Sequence, residues 1–219
     1  MNGELIKKMS KAIVLLIALC VTVPIMAQKK NDHAKQILDM TAKKINNASG
    51  IEASFKMTSF VGSTEQGAGG GQIQLKGKKY KIIAGDQTTW FDGKTLWNYS
   101  ADIEEVNVTN PTKKEMQSMN PYAFVSLYKQ GYNYTMKKAT YNGKEMYDVT
   151  LKAQSAKTEI QEIIITISKD YTPMCIRMRQ GKNWSRITIL KFSTSKSFAD
   201  SNFTFPTQQY PNAEIIDMR

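Results

Sequence analysis

An α+β protein dominated by an antiparallel β-sheet is what three features of the sequence predict. Hydrophobic alternation of period two recurs from Ile51 to Ser195, the segments are joined by short connections rich in Gly, Asn and Asp, and helical periodicity is confined to a few stretches. About ten or eleven strands and three helices follow from that pattern, with no linker to divide them into domains and no internal repeat.

The chain has 219 residues, and its start reads as an export signal. Lys7, Lys8 and Lys11 precede the apolar run Ala12 to Val23, which is too short to span a bilayer and is followed by Pro24 and the small residue Ala27. Cleavage after Ala27 is expected, giving residues 1–27 as signal peptide and 28–219 as one mature domain. Lipidation at Cys20 is the weaker alternative, because Leu19 stands where a small residue is wanted. Loss of the signal leaves 27 basic and 18 acidic residues. In an exported protein that excess argues against nucleic acid and for anionic surfaces or simple solubility. Cys175 is then the one remaining cysteine, so no internal disulfide can form and burial must hold the fold.

The helix expected first places Ala34, Ile37, Leu38, Thr41, Ala42 and Ile45 on one stripe, with Asn31 or Asp32 as its N-cap. From Ile51 the period becomes two: Ile51, Ala53, Phe55, Met57, Ser59 and Val61 share a face. Gly62 to Gly71 reads as a flexible connection, and it lacks the spacing of a phosphate-binding loop. Strands follow over 72–76, 79–84, 87–91, 95–99 and 104–109. Asp92-Gly93 reads as a type I′ hairpin turn between two runs carrying Trp90, Trp97 and Tyr99. Asn110-Pro111 and Asn120-Pro121 each pair an N-cap with proline in the first helical turn, and the second helix presents Phe124, Val125 and Tyr128. Strand periodicity resumes over 132–141, 144–153, 159–168, 174–180 and 184–195. In the last of these the apolar set changes parity through Ile187, Ile189, Leu190 and Phe192, which predicts a bulge or bend.

The usual catalytic signatures are missing. His33 is the one histidine, and there is no C-x-x-C, H-E-x-x-H, G-x-S-x-G or dinucleotide fingerprint. Glu104-Glu105 could supply carboxylates to a glycosidase, but neighbours in a strand face opposite ways. What remains is an exported sheet whose bulky apolar face exceeds what narrow helices cover. Two readings of that face stay open: a container for an acyl chain, or a conventional dry core.

Asp92-Gly93-Lys94-Thr95-Leu96-Trp97 followed by Tyr99 resembles the D-G-K-T-L-W-x-Y hairpin of the LolA-type periplasmic carriers of outer-membrane lipoproteins. Ile51-Glu52-Ala53-Ser54-Phe55 is similar to that family's first strand, Asn120-Pro121 to the opening of a lid helix, and Phe203-Thr204-Phe205-Pro206 to its closing region. The tail, Tyr210 to Asp217, resembles the form found in the Bacteroidetes.

The resemblance implies an unclosed antiparallel β-barrel capped by about three helices and a periplasmic, monomeric, non-enzymatic carrier with no cofactor. Its partners would be lipoprotein acyl chains, an inner-membrane ABC exporter and an outer-membrane acceptor, with no nucleic acid. It implies an acyl-chain cavity lined by Phe55, Met57, Tyr80, Ile82, Trp90, Trp97, Phe124 and Tyr128. The family's K-R-P, whose arginine holds the lid shut, is replaced by Lys76-Gly77-Lys78-Lys79, leaving Lys78 or Lys79 as substitutes without the arginine fork. A sensor of envelope lipid or lipoprotein on the same fold is the alternative role.

Overall fold

The computed structural model describes residues 25–112, 115–116, 127–129, 131–141 and 143–219. Among them, one α-helix, α1 (Ile25–Asn46), precedes twelve strands: β1 (Ile51–Val61), β2 (Thr64–Lys76), β3 (Lys79–Ala84), β4 (Gln87–Phe91), β5 (Leu96–Ser100), β6 (Glu105–Thr109), β7 (Tyr132–Tyr141), β8 (Lys144–Ala153), β9 (Glu162–Ser168), β10 (Pro173–Gln180), β11 (Asn183–Ser193) and β12 (Glu214–Asp217). All belong to one sheet in the order β12-β6-β5-β4-β3-β2-β1-β11-β10-β9-β8-β7, so β12 and β7 are free edges and the sheet does not close.

The sheet is curled. Twelve strands spaced about 4.8 Å apart would make a flat sheet roughly 50 Å wide, which one helix about 10 Å across cannot cover. Yet a single cluster joins Leu96 and Phe91 at one side to Tyr132 at the other, through Tyr80, Leu75, Ile51, Ile176, Ile165 and Val149, with Ala34, Ile37 and Leu38 of α1 inside it. That face is the inner one. The other is outer.

Register confirms the alternation read from the sequence and corrects it in places. Ala53 faces Ile73 and Phe192, Ile73 faces Ile82, and Tyr80 faces Phe91, so these side chains share the inner face. The predicted irregularity is real: pairing of β1 with β11 shifts between Ser54 and Phe55, and Leu190 is the extra residue, 63% exposed.

Gly62 to Gly71, expected as a loop, is mostly strand, because β2 begins at Thr64 and its glycines pair with β1. Propensity misled there: pairing along the length of β1 overrides glycine's weak preference for strands. The Asp92-Gly93 turn is real but sits one residue later and is not type I′. Asp92 N–H still bonds Thr95 O, and only Gly93, at φ +101°, has a positive φ, where type I′ needs two. Asp92 Oδ1 accepts the N–H groups of Lys94 and Thr95, both at 2.8 Å.

β12 brings the count to twelve and lies parallel to β6, so the sheet is not wholly antiparallel. α1 begins at Ile25, which puts the expected caps Asn31 and Asp32 inside it. The two helices expected after Asn110-Pro111 and Asn120-Pro121 lie largely outside the described residues, where 115–116 are helical and Leu127–Lys129 forms a 3₁₀ turn.

Candidate functional site

The inner face is built by strand parity. On β1, Ile51 and Ala53 are buried and Phe55 is half-buried, whereas Met57 and Val61, further along the same face, are 46% and 48% exposed. The reason lies on β2. Phe55, Met57 and Ser59 stand opposite Gly71, Gly69 and Gly67, so where β1 offers rings and methyls β2 offers no side chain. The Phe55 ring fills part of that space: a Cβ on Gly71 would come within 2.7 Å of its Cζ and 2.3 Å of the Ile83 carbonyl oxygen. Gly69 would meet nothing within 4 Å. The face therefore continues past α1 as an open apolar trough floored by glycine.

Tyr80, at 5% exposure, packs its ring on Phe91 at 5.2 Å, and half-buried Ile82 lies beside it. Burial pushes the Tyr80 phenol up to about 12, so it is neutral at any physiological pH. Phe55, Met57, Tyr80, Ile82 and Tyr128 lie toward the inner face. Phe124 lies outside the described residues.

The two tryptophans are not on it. Trp90 and Trp97 are opposite one another in register, which puts both on the same face, and that face is the outer one. There Trp90 is 1% exposed in a second cluster with Tyr99, Val106 and Phe205, against which Trp97 and Tyr210 pack. The chain after β11 crosses the outer face as two 3₁₀ turns, Asp200–Phe203 and Thr207–Gln209, and sets Phe205 edge-on to Trp90 at 5.4 Å and Tyr210 on Tyr99 at 4.6 Å. Period-two spacing shows that Trp90 and Trp97 share a face but not which one. The inner residues of this hairpin are its neighbours Phe91 and Leu96.

α1 closes the inner face with little of its own surface. Ala34, Ile37, Leu38 and Thr41 are buried, and Ala42 and Ile45 partly so. Two polar contacts hold it. Near its C-terminus Lys44 Nζ donates to Asp170 Oδ2 at 2.7 Å and Thr172 Oγ1 at 2.6 Å in the β9–β10 turn. In its middle Asp39 accepts the Tyr128 hydroxyl and, at 2.6 Å, the Lys35 ammonium. Lys35 first and Tyr128 second hold the Asp39 carboxyl below its usual range. Burial, then the Asp39 bond, pushes the Tyr128 phenol well above its own.

This latch was invisible in the sequence, where 89 residues separate its partners. The lysines considered as lid locks serve elsewhere. Lys79 pairs with Asp200 at 2.8 Å, as does Lys76 at 2.9 Å, fastening the C-terminal segment, and Lys78 is exposed.

Residues 23–182 match the family described as outer membrane lipoprotein carrier protein LolA. The chain belongs to this family. Among solved structures, this LolA-family chain is similar to an uncharacterised conserved protein from Thermus thermophilus, at TM-score 0.58 and 10% identity over 84% of this chain and 99% of that one. It also matches a putative outer membrane lipoprotein-sorting protein domain from Vibrio parahaemolyticus (TM-score 0.46, 9% identity, 80% and 97% covered). A third match is the Mycobacterium tuberculosis lipoprotein LppX (0.49, 10%, 77% and 100%). A search of curated proteins found no significant match. In this LolA-family chain the expected half-barrel is present, and the covering helix is fastened through Asp39 and Lys44.

Proposed function

We propose that this protein is a periplasmic carrier that takes lipoprotein acyl chains onto its inner face, from an inner-membrane ABC exporter, and passes them to an acceptor at the outer membrane. In this reading residues 1–27 are removed on export and 28–219 form the carrier, which does no chemistry. Its neighbours in the Vibrio and Mycobacterium structures are named for lipoprotein sorting and as a lipoprotein.

One observation carries the proposal: the apolar inner face is closed by a helix whose described residues bring Ala34, Ile37 and Leu38, with the flanks of Ala42 and Ile45, to the contact. Burial of those side chains holds α1 by about 5 kcal/mol. The half-exposed Asp39–Tyr128 bond and the partly exposed Lys44–Asp170 pair add about 1 kcal/mol each. An acyl chain of about sixteen carbons gains roughly 12 kcal/mol on leaving water. A single chain therefore outcompetes the helix for the face, and once the chain departs the helix has enough apolar surface to return. Phe55, Met57, Tyr80, Ile82 and Tyr128 line the site in this proposal, with entry along the glycine trough beside Met57.

Mass spectrometry of what co-purifies with the protein from its own periplasm tests the reading. Bound triacylated lipoprotein is the expected result. Recovery of free lipid alone, with no lipoprotein, would refute the cargo assignment.

A further inference from the structure

The outer face of β1, β10 and β11 carries a groove that the acyl-chain reading does not use. We propose that it is a second binding site, for a phosphate monoester bearing an apolar substituent. Its residues alternate with those of the inner face. Arg177 stands opposite Arg186 in register, Arg186 opposite Thr58, and Trp184 opposite both Arg179 and Phe60. The groove has a volume of about 390 Å³ and is walled by Phe60, Ile164 and Trp184 with Arg177 and Arg186 at its polar side. That volume falls within the range of small-ligand sites, and the groove is broadly open to solvent.

Charge selects the ligand. Two guanidinium groups directly opposite on antiparallel strands repel each other. Arg177 Nη2 donates to Asp148 Oδ2 at 3.1 Å, and Lys137 Nζ reaches the same oxygen at 3.9 Å. Arg179 is matched by Glu162 at 3.4 Å. Arg186 has no carboxylate within ion-pair distance among the described residues, and its guanidinium lies over the Phe60 ring at 4.7 Å.

Arg177 and Lys137 thus share the single Asp148 carboxylate and Arg186 is left without one, an excess of two positive charges. A phosphate monoester, with roughly −1.5 to −2 at neutral pH, matches that excess where a carboxylate would leave half of it. Arginine's planar fork also suits phosphate oxygens. Among the described residues Arg177 Nε is buried with no hydrogen-bond partner, a further donor left over by the protein's own acceptors. The rings and Ile164 supply the apolar wall, so the ester's substituent is aliphatic or aromatic. Such an ester could be a soluble molecule or the head group of a phosphatidate-like lipid in a bilayer.

Calorimetric titration of the mature protein with inorganic phosphate, dihexanoyl phosphatidic acid and hexanoate tests the proposal. The expected order is dihexanoyl phosphatidic acid tightest, phosphate at least about tenfold weaker and hexanoate weaker still, with Arg186→Gln costing about tenfold in affinity for the first, the scale of one charge-assisted contact. Arg186 makes no ion pair among the described residues, so the variant should melt with the wild type, and Arg186→Lys should recover only part of the loss. Sedimentation with phosphatidylcholine vesicles, with and without phosphatidic acid, separates the sources: pelleting only with phosphatidic acid assigns the site to membranes, and no pelleting assigns it to a soluble ester. Hexanoate binding as tightly as dihexanoyl phosphatidic acid, or an Arg186→Gln protein that binds like wild type, overturns the proposal.

Discussion

Removing the Tyr128 hydroxyl should make the inner face easier to load. Tyr128→Phe keeps the ring that packs on Tyr134 at 5.7 Å and deletes the bond to Asp39. A hydrogen bond to a charged group contributes about 1.5–3 kcal/mol, and with the Asp39 side chain 40% exposed the low end applies, about 1–1.5 kcal/mol. Since about 1.4 kcal/mol is a factor of ten, the population with α1 lifted should rise about five- to tenfold.

If α1 must lift before a chain enters, apparent affinity for a fluorescent acyl probe rises by the same factor, because the binding-competent fraction limits it. Amide hydrogen exchange across residues 34–45 should accelerate in parallel. An unchanged probe affinity together with faster exchange would show that the helix opens but does not gate the face. That result would refute the gating argument at its central step.

Gly71→Ala should destabilise by about 1–3 kcal/mol, because its Cβ would meet a backbone carbonyl that cannot move aside, and denaturant unfolding measures it. Gly69→Leu, where there is open space, should leave the melting temperature within a few degrees yet weaken probe binding by filling the trough; unimpaired binding would place the entry elsewhere. The Asp200 carboxyl is held at about 2, first by its bond to Lys79 and then by that to Lys76. A folded pKa below the ordinary aspartate value of 3.8 stabilises the folded state above that pH, and the contribution fades as pH falls toward about 2. The C-terminal segment should therefore loosen over that window, seen as a change in Trp90 fluorescence, and Asp200→Asn should flatten the change. Truncation after Thr204 removes Phe205 and Tyr210 from Trp90 and Tyr99, and should red-shift tryptophan emission and lower stability by several kcal/mol.

Most of the strand plan was legible in the sequence, because alternation of period two is imposed by each strand separately. β7, β8 and the bulge near Leu190 needed no tertiary knowledge. The face chosen by a strand is another matter. Trp90 and Phe91 are adjacent, both bulky, and go to opposite sides, and what decides is the arrival of Phe205 and Tyr210 from more than 110 residues later in the chain. The family hairpin around Asp92 identified the fold correctly while its most prominent rings turned out to face away from the proposed site. Gly62 to Gly71 failed for a related reason: glycine in a strand is disfavoured locally and is retained where side chains would obstruct a face.

The open sheet has a further consequence. Among the described residues the curled sheet ends on two strands with one neighbour each, β12 and β7, and an unpaired strand edge is a template for another chain. At one end β12 is only four residues long, running parallel to β6 where its neighbours are antiparallel, so it offers an incoming strand little to extend. At the other, β7 is ten residues long but carries Lys137 and Lys138, both exposed, and lies nearest α1. Short length guards one border and charge guards the other. Both borders therefore resist the addition of a further strand, and the sheet stays open without inviting one.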